Sequence, residues 1–170
     1  MSPNVSFASH VPSSRRTALE ALVFFNSCQS RVIEGIVDAI EKYGTLEIVQ
    51  EGERLSVAVK ELPEAQSLFA IEDSGRPVGV AIFMRPDFEH IIVLHIGVSA
   101  EFASGGSRAR EQLLLRMLRE LRSSCRRMKG VRRIELFYHQ ERATEQARSD
   151  LRAVTSRRRR QSGVAMRRMT

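Results

Sequence analysis

Residues 88–138 read FEHIIVLHIGV, SAEFASGGS, RAREQLLLRMLRELRSSCRRMKG and VRRIELFY in succession. The first piece is apolar on both faces, which is typical of a central strand that is covered above and below. The third piece predicts a long amphipathic helix, because its apolar residues recur at steps of three and four. These residues are Leu114, Met117, Leu118, Leu121, Cys125 and Met128. The fourth piece is a second apolar strand, so the stretch predicts a strand, a glycine turn, a helix and a strand.

The turn at residues 103–107 (ASGGS) joins the first of these strands to the helix. The start of a helix offers unpaired N–H groups and a partial positive charge, and neighbouring glycines let an anion approach the backbone. The turn therefore predicts a site for a phosphate-bearing ligand. The alternative is that Gly105 and Gly106 only turn the chain, which glycines at such junctions commonly do.

The residues before this stretch predict two helices and several strands. The helices cover residues 15–24 and 29–43, each with an apolar stripe, and Gly44 is suited to end the second. Strands are expected at residues 5–7, 46–50, 55–60, 67–72 and 77–84, the last four forming two hairpins. Together these elements predict an α+β fold, with a mixed, mostly antiparallel sheet and helices on both of its faces.

Charge is distributed unevenly along the 170 residues. Residues 1–100 carry a net charge of −5 and residues 101–170 one of +12, which together give +7. This asymmetry predicts an acidic partner for the C-terminal half, either nucleic acid, another protein or a polyphosphate ligand. We expect one domain over residues 1–154 and a disordered, arginine-rich tail over residues 155–170.

Composition argues against metal and membrane proteins. The four histidines are dispersed and no CxxC or HxxxH spacing occurs, so no metal site is predicted. Cys28 and Cys125 lie in apolar helical patterns and are expected to be buried thiols of a reducing compartment. No apolar run reaches the roughly 18 residues of a membrane span. The N-terminus also lacks a signal-peptide core, and a cytoplasmic protein is expected.

With this order of elements, residues 67–138 resemble the GNAT superfamily of N-acetyltransferases. The resemblance rests on the hairpin FAIEDSGRPVGVAIF, the strand VLHIGV, the glycine turn before a leucine-rich helix, and the strand VRRIELFY. It implies that two strands of the sheet splay apart and that acetyl-CoA enters the gap. The implied pantetheine contacts are the backbone groups of Ile96, Gly97 and Val98. The implied pyrophosphate contacts are the amides of Gly105, Gly106, Ser107 and Arg108.

The resemblance also implies a base and an acid. Family members often use a carboxylate on the central strand as base, but Ile92 stands where we would look for it. His95 and His90 are the candidate bases, because a neutral imidazole accepts an ammonium proton near neutral pH. The alternative for a histidine in a buried strand is a hydrogen-bonded core residue. Tyr138 is the candidate acid for the departing thiolate, and its alternative role is to close the edge of the core.

Two functions follow from these observations. The first is an acyl-CoA-dependent N-acyltransferase, in which an amine attacks the thioester of acetyl-CoA and an N–H on the central strand stabilises the oxyanion. The alternative is a catalytically inactive GNAT-like binding module that contacts nucleic acid or an acidic protein through arginines. Phe102 favours the alternative, since it replaces the arginine or glutamine of the family's turn. The arginines in question are Arg116, Arg119, Arg122, Arg126 and Arg127 of the helix and Arg157, Arg158, Arg159 and Arg160 of the tail.

Overall fold

Segments with alternating or continuous apolar residues form strands. Segments whose apolar residues recur every three or four positions form helices. The computed structural model describes residues 4–26, 33–128 and 130–137, except for the side chains of residues 33–36. All of these residues belong to the unit Met1–Phe137. The predicted domain end at residue 154, the tail and Cys28 lie outside the described residues.

Eleven helices and strands occur in the part of the chain that is described. The helices are α1 (Arg16–Phe24), α2 (Ile33–Tyr43) and α3 (Leu113–Arg127). The strands are β1 (Val5–Ala8), β2 (Val11–Pro12), β3 (Leu46–Glu51), β4 (Arg54–Val59), β5 (Gln66–Glu72), β6 (Pro77–Met84), β7 (His90–Val98) and β8 (Arg133–Leu136). None of the described helices is long and apolar enough to span a membrane.

A mixed sheet of five strands forms the centre of the fold, in the order β1-β5-β6-β7-β8. All neighbours are antiparallel except β7 and β8, which are parallel and are joined through α3. Such a crossover is what parallel neighbours require. The hairpin of β3 and β4 does not extend this sheet but forms a second one with β2, in the order β2-β4-β3. The chain changes direction after β4 because Leu62 and Ala65 donate N–H bonds back to Val59 and Leu62.

Helices cover both faces of the central sheet, as the sequence predicts. Leu19, Leu22 and Val23 of α1 pack in one apolar cluster with Ile82 and Leu94. The residues that precede and follow these on their strands pack with α3 in two clusters on the opposite face. They do so because successive side chains of a strand point to opposite sides of the sheet. The buried residues of α3 are Leu113, Met117, Leu121 and Cys125. The prediction that Leu114 belongs to this stripe is wrong, since its side chain is 40% exposed.

Candidate functional site

The candidate site lies along β7, because half of this strand has a strand neighbour on one side only. β8 pairs with β7 from His90↔Arg133 to Val93↔Leu136. Beyond Val93, within the described residues, β7 pairs only with β6, as far as Gly79↔Val98. The β7 edge (residues 94–98) therefore presents backbone groups that no described strand occupies. The family resemblance predicts a gap between two neighbouring strands, and the β7 edge is the part of the described sheet where it would lie.

A β-bulge lies at the start of the β7 edge. Ile82 of β6 opposes His95, and the next residue, Phe83, opposes Val93. Leu94 is thus an extra residue on β7, and bulges of this kind bend a strand and redirect its backbone groups. At the far end, the Val98 carbonyl accepts a hydrogen bond of 2.8 Å from the Asn26 side chain. Of the predicted pantetheine contacts, Ile96 is half-buried and Gly97 and Val98 are buried.

The glycine turn folds back on the chain that precedes it. The Gly106 N–H donates to the Ala103 carbonyl at 2.9 Å, and the Arg108 N–H donates to the Glu101 carbonyl at 2.7 Å. A Cβ on Gly106 would lie 2.3 Å from the Ala100 carbonyl oxygen, so this close backbone approach by itself requires glycine. Two of the amides predicted to hold a pyrophosphate are thus already hydrogen-bonded, whereas Gly105 and Ser107 are exposed.

The turn does not lead directly into α3. A 3₁₀ turn (Ala109–Glu111) follows it, and Gln112 then adopts a left-handed conformation with φ 49° and ψ 43° before the helix begins at Leu113. The prediction that the glycine turn leads directly into the helix is therefore wrong. The unpaired N–H groups of α3 belong to its own first turn, several residues further along the chain.

Arg108, a predicted pyrophosphate contact, belongs to an ion-pair cluster within the protein. The cluster consists of Glu72, Arg76, Glu101, Arg108 and Glu111. Arg108 donates Nε to Glu111 Oε1 at 2.6 Å and Nη2 to Glu111 Oε2 at 3.0 Å, and it also pairs with Glu72. Burial favours a higher pKa for Glu72, but hydrogen bonds from Arg76 and Arg108 lower that pKa below its usual value. The guanidinium also lies 4.1 Å from the centre of the Phe102 ring.

This cluster changes the electrostatics expected at the turn. It holds three carboxylates and two guanidinium groups, so its formal charge is negative rather than positive. A diphosphate would have to displace Glu111 or Glu72 to reach Arg108. Phe102 is 4% exposed and packs with Val98, Leu113 and Met117. It is a core residue of the face that carries α3.

The two candidate histidines lie in different surroundings. His95 is 3% exposed, and burial lowers its pKa to about 4. It is therefore neutral near pH 7 and a weak proton acceptor. His90 lies at the opposite end of β7 from the open edge, where its Nδ1 is 2.6 Å from Asp87 Oδ2. Tyr138 and Arg157–Arg160 fall outside the described residues, and no cluster of three potential metal ligands occurs among those described.

Glu135 is a candidate site residue that the sequence reasoning missed. The parallel register places it opposite Ile92, next to the position where we looked for a carboxylate on the central strand. Ile134 and Leu136, its neighbours on β8, pack in the cluster on the α3 face. Glu135 therefore points to the face that carries α1. The sequence does contain a signal, since Glu135 is a single charged residue between apolar ones in RIELF. It does not show which residue of β7 lies opposite Glu135.

Comparison with known proteins shows similarity at the level of structure only. No protein-family model matches the chain, and no curated protein is similar to it. The chain is similar to an acetyltransferase of Trypanosoma brucei at 15% identity and a TM-score of 0.38, over 78% of this chain and 82% of that one. It is also similar to an acetyltransferase from Streptococcus agalactiae 2603 at 16% identity and a TM-score of 0.37, over 71% and 67%.

At these identities and TM-scores, the two likenesses imply nothing about activity, substrate or cofactor. The strand order, the parallel pair β7 and β8, and the crossover through α3 are features of this chain itself. The chain has the α+β fold that its sequence predicts, with a mixed, mostly antiparallel sheet and helices on both of its faces.

Proposed function

We propose that this protein binds acetyl-CoA and transfers the acetyl group to an amine. The observation that supports this most directly is the β7 edge, which begins at the Leu94 bulge where β8 ends. The pantetheine arm of acetyl-CoA contains amide groups, and an extended chain with amides can pair with such an edge as an added strand does. Ile96, Gly97 and Val98 are the proposed partners of the arm.

The reaction itself needs little more than orientation at this edge. A neutral amine attacks the thioester carbonyl, the C–N bond forms, the C–S bond breaks, and the thiolate leaves with a proton. Holding the two reactants in line supplies a large share of the rate. A backbone N–H at the bulge would stabilise the oxyanion of the tetrahedral intermediate.

The diphosphate of acetyl-CoA is expected to contribute less than the pantetheine arm. Gly105 and Ser107 are the exposed members of the predicted pyrophosphate contacts, and Arg110 is an exposed arginine near them. Gly106 and Arg108 would join them only by exchanging hydrogen bonds that they now make within the protein. The negative ion-pair cluster opposes that exchange.

A thermal-shift titration tests this proposal. Acetyl-CoA should raise the melting temperature, because a ligand that binds the native state at about 100 times its Kd adds about 2.7 kcal/mol to the free energy of unfolding. 3′-Phosphoadenosine 5′-diphosphate, which keeps the diphosphate but lacks the pantetheine arm, should produce a much smaller shift. Equal shifts from both ligands would locate the binding energy in the glycine turn rather than at the β7 edge. No shift with acetyl-CoA would contradict the proposed function.

A second candidate is a noncatalytic module that binds nucleic acid, and the outer face of α3 favours it. Arg119, Arg122 and Arg126 are exposed there and form no ion pair with any described residue. The affinity for an oligonucleotide should fall with salt, and each arginine should add about 0.7 to 0.9 to the slope of log affinity against log salt concentration. Replacing all three by glutamine should flatten that slope, whereas Arg127→Gln should change it less, because Arg127 lies 3.6 Å from Glu120. An unchanged slope in the triple variant would rule out this surface.

A further inference from the structure

The ion-pair cluster holds the glycine turn from both sides. Glu101 lies before the turn, and Arg108 and Glu111 lie after it. Glu101 pairs with Arg76, while Arg108 pairs with both Glu72 and Glu111. Since Glu72 and Arg76 belong to the hairpin of β5 and β6, contacts with a distant part of the chain fix the form of the turn.

Arg108 has little freedom to bind an anion. Its Nε and Nη2 donate to the two carboxylate oxygens of Glu111 at 2.6 and 3.0 Å, and its Nη1 donates to Glu72 Oε1. Glu72 is 6% exposed, and Arg76 donates to its other oxygen at 3.0 Å. Moving Arg108 away would leave one oxygen of a buried carboxylate without its cation. That costs more free energy than a hydrogen bond to a diphosphate returns.

The end of the β7 edge that lies nearest the turn is also occupied. Ser99 donates its N–H to the Val78 carbonyl at 2.8 Å, so the backbone groups of Ser99 point to β6. Those of Val98 point away from β6, because the direction alternates along a strand. The outward carbonyl of Val98 accepts a hydrogen bond from the Asn26 side chain. The outward groups of Ile96 lie further from the turn, and no described strand pairs with them.

Two further arginines near the cluster are poorly suited to replace Arg108. Arg110 is exposed, and an ion pair in contact with water contributes little. Hydrogen bonds from Arg108 lower the pKa of Glu111, and the charge of Arg116 lowers it as well, so Arg116 interacts with the cluster. Its guanidinium also donates to the Val5 carbonyl at 3.3 Å. A diphosphate at the turn would therefore meet carboxylates before it met an available guanidinium.

From these contacts we infer that the site recognises pantetheine thioesters as a class and does not require the nucleotide half of CoA, an inference that rests on the proposed function. The donor is held by its arm at the β7 edge, whether the arm ends in a hydroxyl group, as in S-acetylpantetheine, or in the nucleotide of acetyl-CoA. Glu72 and Glu111 determine this specificity, because they hold Arg108 away from a diphosphate.

Isothermal titration calorimetry with acetyl-CoA and S-acetylpantetheine tests the inference. In the unmodified protein the two Kd values should differ by about tenfold at most, because the exposed groups of the turn are worth about one hydrogen bond. A larger ratio would overturn the inference while acetyl-CoA binding stands. A diphosphate held by Arg108 and the turn amides would make that ratio about 100-fold or more. If neither ligand binds, the proposed function is refuted and the inference with it.

Glu111→Gln tests the role of the cluster. It weakens the bonds to Nε and Nη2 of Arg108 while Nη1 stays on Glu72, so the guanidinium can bind a diphosphate without leaving Glu72. The affinity for acetyl-CoA should rise about tenfold, and this gain should shrink at high salt. The Kd for S-acetylpantetheine should stay unchanged. Glu120→Gln is the matched control, because it removes the same charge from an ion pair outside the cluster and should change neither Kd.

Glu101→Gln separates the bonds of Arg108 from the charge of the cluster. It removes one carboxylate but keeps the bonds of Arg108 to Glu72 and Glu111, so it should raise the affinity for acetyl-CoA less than Glu111→Gln does. Equal gains in the two variants, or no gain in a folded Glu111→Gln protein, would overturn the role of Arg108. Melting temperatures show which variants are folded in the assay. If Glu111→Gln does not fold, the ratio of Kd values in the unmodified protein decides alone.

Discussion

His95 shows how a single residue can fit a catalytic pattern and yet be suited to the core. It lies on β7 opposite Ile82 and is almost completely buried. Burial disfavours the imidazolium form, which is why its pKa falls to about 4. A base with that pKa is neutral at physiological pH but removes an ammonium proton with difficulty. The structure therefore favours the interpretation of His95 as a core residue.

This burial predicts a specific dependence of stability on pH. The folded-state pKa of His95 is about 4, compared with 6.5 for an unperturbed histidine. Between these values the unfolded chain binds a proton that the folded chain does not, so the free energy of unfolding falls as the pH falls through this window. The total loss is of the order of 3 kcal/mol. Denaturant titrations at a series of pH values measure it.

The control variants separate His95 from other titrating groups. His95→Leu should remove the loss in this window, since leucine has no proton to bind. His90→Gln should keep it, because His90 lies at the exposed start of β7 beside Asp87. If the His95→Leu protein loses stability over this pH range as steeply as the unmodified one, another group causes the effect.

At the scale of single elements, the sequence predicts the strands well and the start of α3 poorly. The predicted strands 67–72, 77–84 and 88–98 lie within two residues of β5, β6 and β7. Their boundaries are set locally, by apolar runs between turn residues. The segment 108–112 is compatible with a helix locally, but Arg108 is held by Glu72, 36 residues earlier in the chain. Contacts of that range are not visible in a periodic pattern.

The same limit applies to the candidate site. The sequence identifies β7 and the glycine turn, because both have local signals. It does not reveal that Gly106 packs against the backbone of Ala100, nor that Glu135 pairs with Ile92. The first depends on the exact path of the backbone through the turn, which residue types alone do not fix. The second depends on the whole crossover between two parallel strands.

The contact between α3 and β6 supports a prediction at this scale. A Cβ on Gly79 would lie 2.4 Å from Met117 Sδ and 3.1 Å from the Ala70 Cβ. Gly79→Ala should therefore lower the free energy of unfolding by about 1 to 3 kcal/mol, the usual cost of overpacking. Denaturant unfolding of Gly79→Ala, Met117→Ala and the double variant measures the coupling energy between the two positions.

The double variant shows whether this contact is the cause. Met117→Ala alone leaves a cavity and should cost about 2 to 5 kcal/mol. In the Gly79→Ala protein it should cost less, because it also relieves the clash with Met117 Sδ. Strictly additive losses would mean that the cost of Gly79→Ala arises elsewhere, for example against Ala70.

At the scale of the described unit, one central strand supports both sides of the sheet. Every residue of β6 is buried, and its side chains join the clusters on both faces. β7 pairs with β6 nearly throughout, whereas its other side is paired only as far as Val93. The account therefore depends on one feature, the β7 edge, and on its use by the pantetheine arm of acetyl-CoA.

Amide hydrogen exchange with and without acetyl-CoA tests that claim most directly. Without ligand, amides of residues 94–98 that point away from β6 should exchange faster than those of β6, since no described strand protects them. Saturating acetyl-CoA should slow exchange in residues 94–98 and leave β5 unchanged. Protection confined to residues 103–108, or an unchanged β7 with ligand bound, would contradict the account.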